Sequence, residues 1–324
     1  MIDTITLYKQ GRNFELNEDR FKKKLNESNK PEILYNTFYN PEGKQPIYIH
    51  NDLKHSFVKV QFSTPKLIYN TSLENVKLED TSKIEGILNK RLEGIFEDDF
   101  NNMQVSRLDV TQNIEVSNDI PIYIHSLHEA YNKDKRYKEE IYSNETITIK
   151  NNSRRFTLYD KVKEALFNKD ISNSEASVYP NLLRYEVQHS KSKHIKTSFN
   201  RNYTLEEIFT EGFFETAKLF QVNSFDRLFC NYGNYELFMQ DIALMDIVAK
   251  YSKGRNSLKN FIIRSITETE NLNHDFTKYE DLLKLNGMSR QGISKNLKEL
   301  RTLLSLARLK TSDLIEEIRS KLVA

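Results

Sequence analysis

Arg155-Phe156-Thr157-Leu158-Tyr159-Asp160-Lys161-Val162-Lys163-Glu164-Ala165 sets Phe156 and Leu158 two residues apart, the period of a strand that buries one face. The same grammar recurs upstream in Val105-Ser-Arg107-Leu-Asp109-Val-Thr111 and downstream in Leu182-Leu-Arg184-Tyr-Glu186-Val-Gln188, each with one acid inside an apolar strand pattern. On an extended chain Arg155, Tyr159 and Lys161 share a face. A phenol with an ordinary pKa of about 10 attacks phosphate once its proton is removed or its charge stabilised. Lys161 could lower that pKa or hold the phosphate. The competing reading is an amphipathic strand tyrosine beside core residues Phe156, Leu158 and Val162. Two acids and one tyrosine on adjacent strands would suffice for metal-assisted nicking of DNA.

An acid in the middle of Leu108-Asp109-Val110 or Tyr185-Glu186-Val187 is expensive to leave unpaired inside a sheet. Each has an arginine two residues before it, Arg107 and Arg184, on its own face and able to serve as its salt-bridge partner. The alternative is that Asp109 and Glu186 offer hard oxygen ligands to Mg²⁺ or Mn²⁺, which would offset charge developing on a leaving oxygen.

Working outward, period-two patterning over Thr4-Ile-Thr-Leu-Tyr8, residues 32–39, Ile47-Tyr-Ile-His50 and residues 57–63 predicts antiparallel hairpins, with Asn40-Pro-Glu-Gly43 as a turn. Ile84, Ile87, Leu88, Leu92 and Ile95 keep helical spacing, which predicts a helix over 82–96 packed on the sheet. A second helix is expected over 122–131, with strands at 107–114, near 145–150, through Tyr159 and through Glu186. From Tyr203-Thr204-Leu-Glu-Glu207, a capping-box pattern, periodicity turns helical. The expected fold class is α+β: a large N-terminal antiparallel β-sheet with packed helices over residues 1–200, then an all-α region over 201–324. No internal repeat is visible.

Within 277–304, Tyr279 to Leu300 reads as helix, Gly287-containing turn and helix, with Ser289 as N-cap of the second. That is the outline of a helix-turn-helix in which Arg290, Gln291, Ser294 and Lys295 would face DNA.

With 48 basic against 46 acidic side chains the formal charge is only +2, so clustering rather than total charge must argue for nucleic acid. Lys191, Lys193 and Lys196 form a basic, turn-like run that, with His189, could touch phosphate; a solvated loop is the alternative. His125 and His128 sit at helical spacing and suit a surface helix. Cys230 is the single cysteine, so neither an internal disulfide nor a cysteine-based zinc site is expected, and a reducing cytoplasm is the natural setting. No apolar run approaches the roughly 20 residues that span a bilayer. Trp is absent, which leaves Tyr, Phe, His and Arg for base stacking.

Met1-Ile-Asp-Thr-Ile5, Phe62-Ser-Thr-Pro-Lys-Leu-Ile-Tyr-Asn70, Ser106-Arg-Leu-Asp-Val-Thr-Gln-Asn113, Tyr159-Asp-Lys161 and Leu183-Arg-Tyr-Glu-Val187 occur in an order that resembles phage and plasmid replication proteins of the filamentous-phage gene II/X type. The resemblance covers about residues 1–200. It implies a relaxase- or replication-initiator-like sheet and a rolling-circle initiator that nicks one origin strand through a tyrosine, stays joined to the 5′ phosphate and requires a divalent metal. Gram-positive plasmid initiators with Tyr-x-Lys followed by an Arg-x-Glu strand are similar. On that likeness Tyr159 is the nucleophile, Lys161 its phosphate or phenolate partner, and Asp109 and Glu186 the metal ligands. Asp160 or Glu164 is a third acid, the latter if the chain turns into a helix after Lys161. Arg155, Arg107, Arg184, Lys191, Lys193, Arg290, Gln291 and Lys295 are the expected DNA contacts. The paired-histidine metal motif of widespread rolling-circle nucleases is missing. Origin DNA, single-stranded at the nick, is the implied partner, with a host helicase and a second copy of the chain as further candidates.

Two other functions fit the residues: a sequence-specific DNA-binding initiator or regulator without nicking, and a sheet-based RNA-binding or structural protein. Tyr179 and Tyr185 stand as alternative nucleophiles.

Overall fold

A computed structural model describes residues 1–230 apart from 12, 13, 15, 98, 132, 133, 143 and 144, together with 289, 291, 292 and 311–324. Ten strands form one sheet: β1 (Ile2–Gln10), β2 (Lys22–Leu25), β3 (Pro31–Phe38), β4 (Ile47–Asp52), β5 (Phe57–Ser63), β6 (Gln104–Glu115), β7 (Lys138–Tyr142), β8 (Thr146–Lys150), β9 (Arg155–Asp160) and β10 (Leu182–His189). Their order is β2-β3-β4-β5-β1-β6-β10-β9-β8-β7, and every neighbouring pair is antiparallel. From either outer edge the first strand of each half lies innermost, so the two halves repeat one topology although the sequence carries no repeat.

Helices are α1 (Thr64–Tyr69), α2 (Thr81–Leu92), α3 (Ile120–Ala130), α4 (Lys161–Phe167), α5 (Asn173–Ala176), α6 (Ser192–Phe199), α7 (Leu205–Ile208), α8 (Glu211–Phe229) and α9 (Thr311–Val323). The α+β class and the large antiparallel sheet agree with the patterning, as do α2 and α3. Strand alternation divides the sheet into an apolar and a polar face. Ile5, Leu7, Val58, Val60, Phe62, Ile47, Ile49, Leu108 and Val110 join Ile84, Leu88 and Leu92 of α2, Ile195 and Phe199 of α6, and Phe213 and Ala217 of α8 in one core. Burial of this many aliphatic and aromatic side chains, each contributing about 1.5–3 kcal/mol, is what fixes the register of the strands.

Two local readings are borne out in detail. Gly43 adopts φ +72° and donates to the Asn40 carbonyl at 2.9 Å, closing the turn between β3 and β4. Thr204 and Glu207 cap α7 reciprocally. One is corrected: the basic run at 191–196 is not a turn, because Ser192–Phe199 is helical, with His194, Ile195 and Phe199 buried.

The chain divides into two units, Met1–Phe229 with Glu317–Ala324, and Cys230–Glu316. In the first, the end of α9 returns to the sheet: Glu317 accepts from the Ser117 amide at 2.9 Å and from the Tyr123 hydroxyl, and Gln112 Nε2 donates to the Lys321 carbonyl at 2.9 Å. In the second, the Gly292 amide donates to Ser289 Oγ at 3.2 Å, as an N-cap does, and Gln291 is exposed. Arg290, Lys295 and the remainder of the 277–304 helix pair lie outside the described residues. Among the described residues no helix is long and apolar enough to cross a membrane.

Candidate active site

Residues directly opposite one another in a sheet share a face, so register places the site. Across β9, β10 and β6 the polar face carries Tyr159–Arg184–Asn113, then Thr157–Glu186–Thr111, then Arg155–Gln188–Asp109. Tyr159, Glu186 and Asp109 therefore run diagonally over three strands, with Glu186 in the middle. Tyr159 Oη donates to Glu186 Oε2 at 3.4 Å, a long bond. Asp109 belongs to the next step of the diagonal.

Around Tyr159 the setting is cationic. Lys161 Nζ lies 5.7 Å from the centre of the Tyr159 ring and pairs with Glu164 Oε2 at 2.5 Å. Strand β9 ends at Asp160 and α4 begins at Lys161, so Glu164 comes round on the first helical turn. Asp160 is the helix N-cap: its Oδ1 accepts from the Lys163 amide at 3.0 Å. A cap oxygen bound to backbone is a poor third metal ligand, and Asp160 serves structure here.

Arg184, expected as a DNA contact, is corrected by its surroundings. It is 1% exposed, and its guanidinium donates to Asp3, to the Ser72 carbonyl at 3.1 Å and to Asn113 Oδ1 at 3.2 Å, with Glu186 Oε2 3.6 Å from Nε. Asp3 reaches it from a shift in register between Ile2 and Ile5 on β1, where one extra residue opposes β6 as in a β-bulge. Buried and paired, Arg184 is a fixed positive charge beneath Tyr159 and Glu186. Arg107 grips Asp109 with both arms of its fork, Nε at 3.2 Å and Nη2 at 2.6 Å, and stays half-buried. The arginine–acid pairs anticipated from spacing are thus present, the first close and the second loose.

Electrostatics follow from burial and these neighbours. Burial pushes the Tyr159 phenol well above its usual range, with Arg184 pulling it down and Glu186 pushing it up. Burial also raises the Asp109 carboxyl to about 7; the Arg107 hydrogen bond opposes the rise, and Glu186 adds to it. Lys161 is lowered by burial and by Arg184. Tyr159 is consequently a protonated hydrogen-bond donor at neutral pH, and Asp109 and Glu186 repel each other.

That repulsion is the environment a divalent cation relieves, and two carboxylates are the right donors for one. A cation would have only this pair, since among the described residues no three or more His, Cys, Asp or Glu side chains group to hold a metal ion, and Asp109 would have to share its oxygens with Arg107. Asp3 is engaged by Arg184 and by Ser63 Oγ at 2.6 Å.

Of the other expected contacts, Arg155 is exposed on the polar face, and Lys191 and Lys193 are exposed at the start of α6. His189 is corrected: it is fully buried on the apolar face, bonded to Ser198 Oγ at 2.9 Å and set between Phe199 and Phe220, out of reach of phosphate. Tyr185 is likewise buried on the apolar face against Phe225, which removes it as a nucleophile. Tyr179 packs with Ala165 and Leu182 near α4. Asp3 and Asn113 are the site residues that sequence reasoning missed. Asn113 lay inside the quoted Ser106–Asn113 motif, and only its period-two spacing from Asp109 could have marked it.

Residues 71–206 match the family model of the N-terminal part of the replication-associated gene II protein of phage. No curated protein matches the chain.

Proposed function

We propose, from the premise that over residues 71–206 the chain is a replication-associated protein of the filamentous-phage gene II type, that it initiates replication by nicking one origin strand with Tyr159. The observation that carries this is the bond from Tyr159 Oη to Glu186, set between the cations Arg184 and Lys161. The phenol oxygen attacks phosphorus, its proton passes to Glu186, and the bond from phosphorus to the 3′ oxygen breaks. The leaving oxygen takes a proton from solvent. What results is a 5′-phosphotyrosine and a free 3′ hydroxyl, and the reverse sequence rejoins the strand.

Each side chain has a defined part. Glu186 is the general base, since among the described residues it alone is bonded to the phenol. Arg184 and Lys161 stabilise phenolate character and the negative phosphate, the role of preorganised charge in a partly desolvated site. Asn113 and Asp3 hold Arg184 in place. Asp109 and Glu186 would hold Mg²⁺ or Mn²⁺, which would supply charge neutralisation at the phosphate. Arg155 and Arg107 contribute positive charge toward DNA on the face of Tyr159, Lys191 and Lys193 belong to the α6 side of the sheet, and Arg290, Gln291 and Lys295 belong to the proposed origin-reading helix pair of the second unit.

The test is a nicking assay on supercoiled plasmid carrying the replication origin, with Mn²⁺, followed by denaturing gels for protein joined to DNA. Wild-type protein should form nicked circles and an adduct, and Tyr159→Phe neither, with at least a 1,000-fold loss, while still binding the origin. Equal nicking by Tyr159→Phe would eliminate Tyr159 as nucleophile. Origin binding without nicking by the wild type under any divalent metal would favour the non-cleaving DNA-binding initiator.

A further inference from the structure

The polar face does not stop at β6. Register carries it outward over the half of the sheet that lies before residue 71, beyond the family match. One row across the strands reads Lys22, Tyr35, His50, Lys59, Tyr8, and the next reads Thr37, Tyr48, Gln61, Thr6, Arg107. Aromatic and basic side chains are interleaved in the first row, and the second ends on the arginine that grips Asp109.

These rings touch one another. His50 stacks on Phe57 at 5.8 Å between centres with planes 22° apart, Tyr8 lies 5.6 Å from Phe57, and Tyr48 lies 6.5 Å from His50. Lys59 Nζ stands 4.9 Å over the Phe57 ring. Aromatic side chains normally leave water, yet Tyr35 and Tyr48 are each 37% exposed. Burial and Lys59 lower the His50 pKa, which keeps its ring neutral at neutral pH. Asp52, at the end of the face, is taken up by His55 Nδ1 at 2.9 Å.

We infer that this face, from Tyr35 and Tyr48 to Phe57, Lys59 and Tyr8, is a stacking platform for single-stranded DNA that leads the unpaired strand to the nicking site. The chemistry selects that ligand. Flat rings with adjacent cations take unpaired bases on their π-faces and phosphates on the ammonium groups, whereas a duplex hides its bases from stacking. From Tyr35 on β3 to Tyr8 on β1 the platform spans three strand spacings, about 14 Å, room for a few bases. The inference rests on the nicking proposal only for what the strand does there; binding itself does not require Tyr159.

Fluorescence anisotropy with the full chain and a labelled 20-nucleotide oligothymidylate tests it. Tyr35→Ala with Tyr48→Ala should weaken binding at least about 10-fold, in keeping with the usual contribution of a stacked base. Tyr35→Phe with Tyr48→Phe should bind as the wild type. Affinity for a duplex of the same length should change less than 2-fold in both double variants. An oligonucleotide carrying 5-iododeoxyuridine should crosslink on irradiation to Tyr8, Tyr35, Tyr48 or Phe57, as read by mass spectrometry. Unchanged oligothymidylate binding by the alanine pair, or crosslinks confined elsewhere, would overturn the platform. So would an equal loss of duplex binding. The adduct assay is scored separately, so nicking chemistry can fail or succeed without deciding this result.

Discussion

His189 shows how far a residue's environment can depart from its type. Its folded-state pKa is held at about 3, by burial first and by Arg154, against an unfolded value of about 6.5. Between those values the unfolded chain binds a proton that the folded chain refuses, so stability is complete above about pH 6.5 and lost as pH falls toward 3. The slope from this group is about 1.4 kcal/mol per pH unit inside that window and zero above it. Urea denaturation at pH 7, 6 and 5 should therefore show the wild type losing stability more steeply than His189→Gln by about that amount. Identical slopes would disprove the assignment. Arg184 is the opposite case, a charge that stays charged in the core because Asp3, across 181 positions of sequence, lies against it. Nothing in Leu183-Arg-Tyr could reveal that. An arginine in a strand is ordinarily a surface group, and its partner belongs to a distant strand.

At the scale of the element, α4 aligns the site. It starts where β9 stops, and its cap Asp160 sets the turn on which Lys161 and Glu164 meet. Asp160→Ala should cost about 1 kcal/mol of stability and lower nicking with it, while Asp160→Asn, which can still cap, should remain within about 0.5 kcal/mol. Chemical denaturation and the plasmid assay read both effects, and a loss of nicking by Asp160→Asn at full stability would instead make Asp160 a metal ligand. The central strands were legible where one buried face alternates along the chain, cleanly in β5 and over the apolar residues of β9; in β1 register shifts break the period, and in β6 and β10 buried polar residues such as Asp109, Thr111 and Arg184 blur it. The edge strands were not. Lys22-Lys-Lys-Leu25 and Lys138-Glu-Glu-Ile-Tyr142 are charged, as edges that avoid further pairing commonly are, and carry no apolar period. Helix α6 escaped notice because two short turns carrying Lys193 and Lys196, with only His194, Ile195 and Phe199 buried, look like a solvated loop. In the site, face-sharing of Tyr159 with Glu186 and of Arg107 with Asp109 could be read from period two. Which acid stands next to the tyrosine could not, since it depends on the register between strands far apart in sequence.

For the molecule as a whole, the sheet is finished by a segment from the far end of the chain. Ile318 and Leu322 of α9 are completely buried, and Arg319 pairs with Asp226 of α8 at 2.8 Å. Leu322→Ala should cost about 2–5 kcal/mol, a core cavity's worth, and lower the thermal midpoint of the first unit accordingly. A midpoint within about 1 °C of the wild type would show that α9 contributes little. The late arrival of this helix also has a consequence in time. On the ribosome, β1 to α8 emerge first, and residues 230–316 must be made before Ile318 exists. At roughly 5 to 20 residues per second that interval is about 4 to 17 s. Throughout it, the apolar seat of α9 faces water on a nascent chain, so birth rather than maturity is when this protein is most exposed to aggregation and most in need of a chaperone.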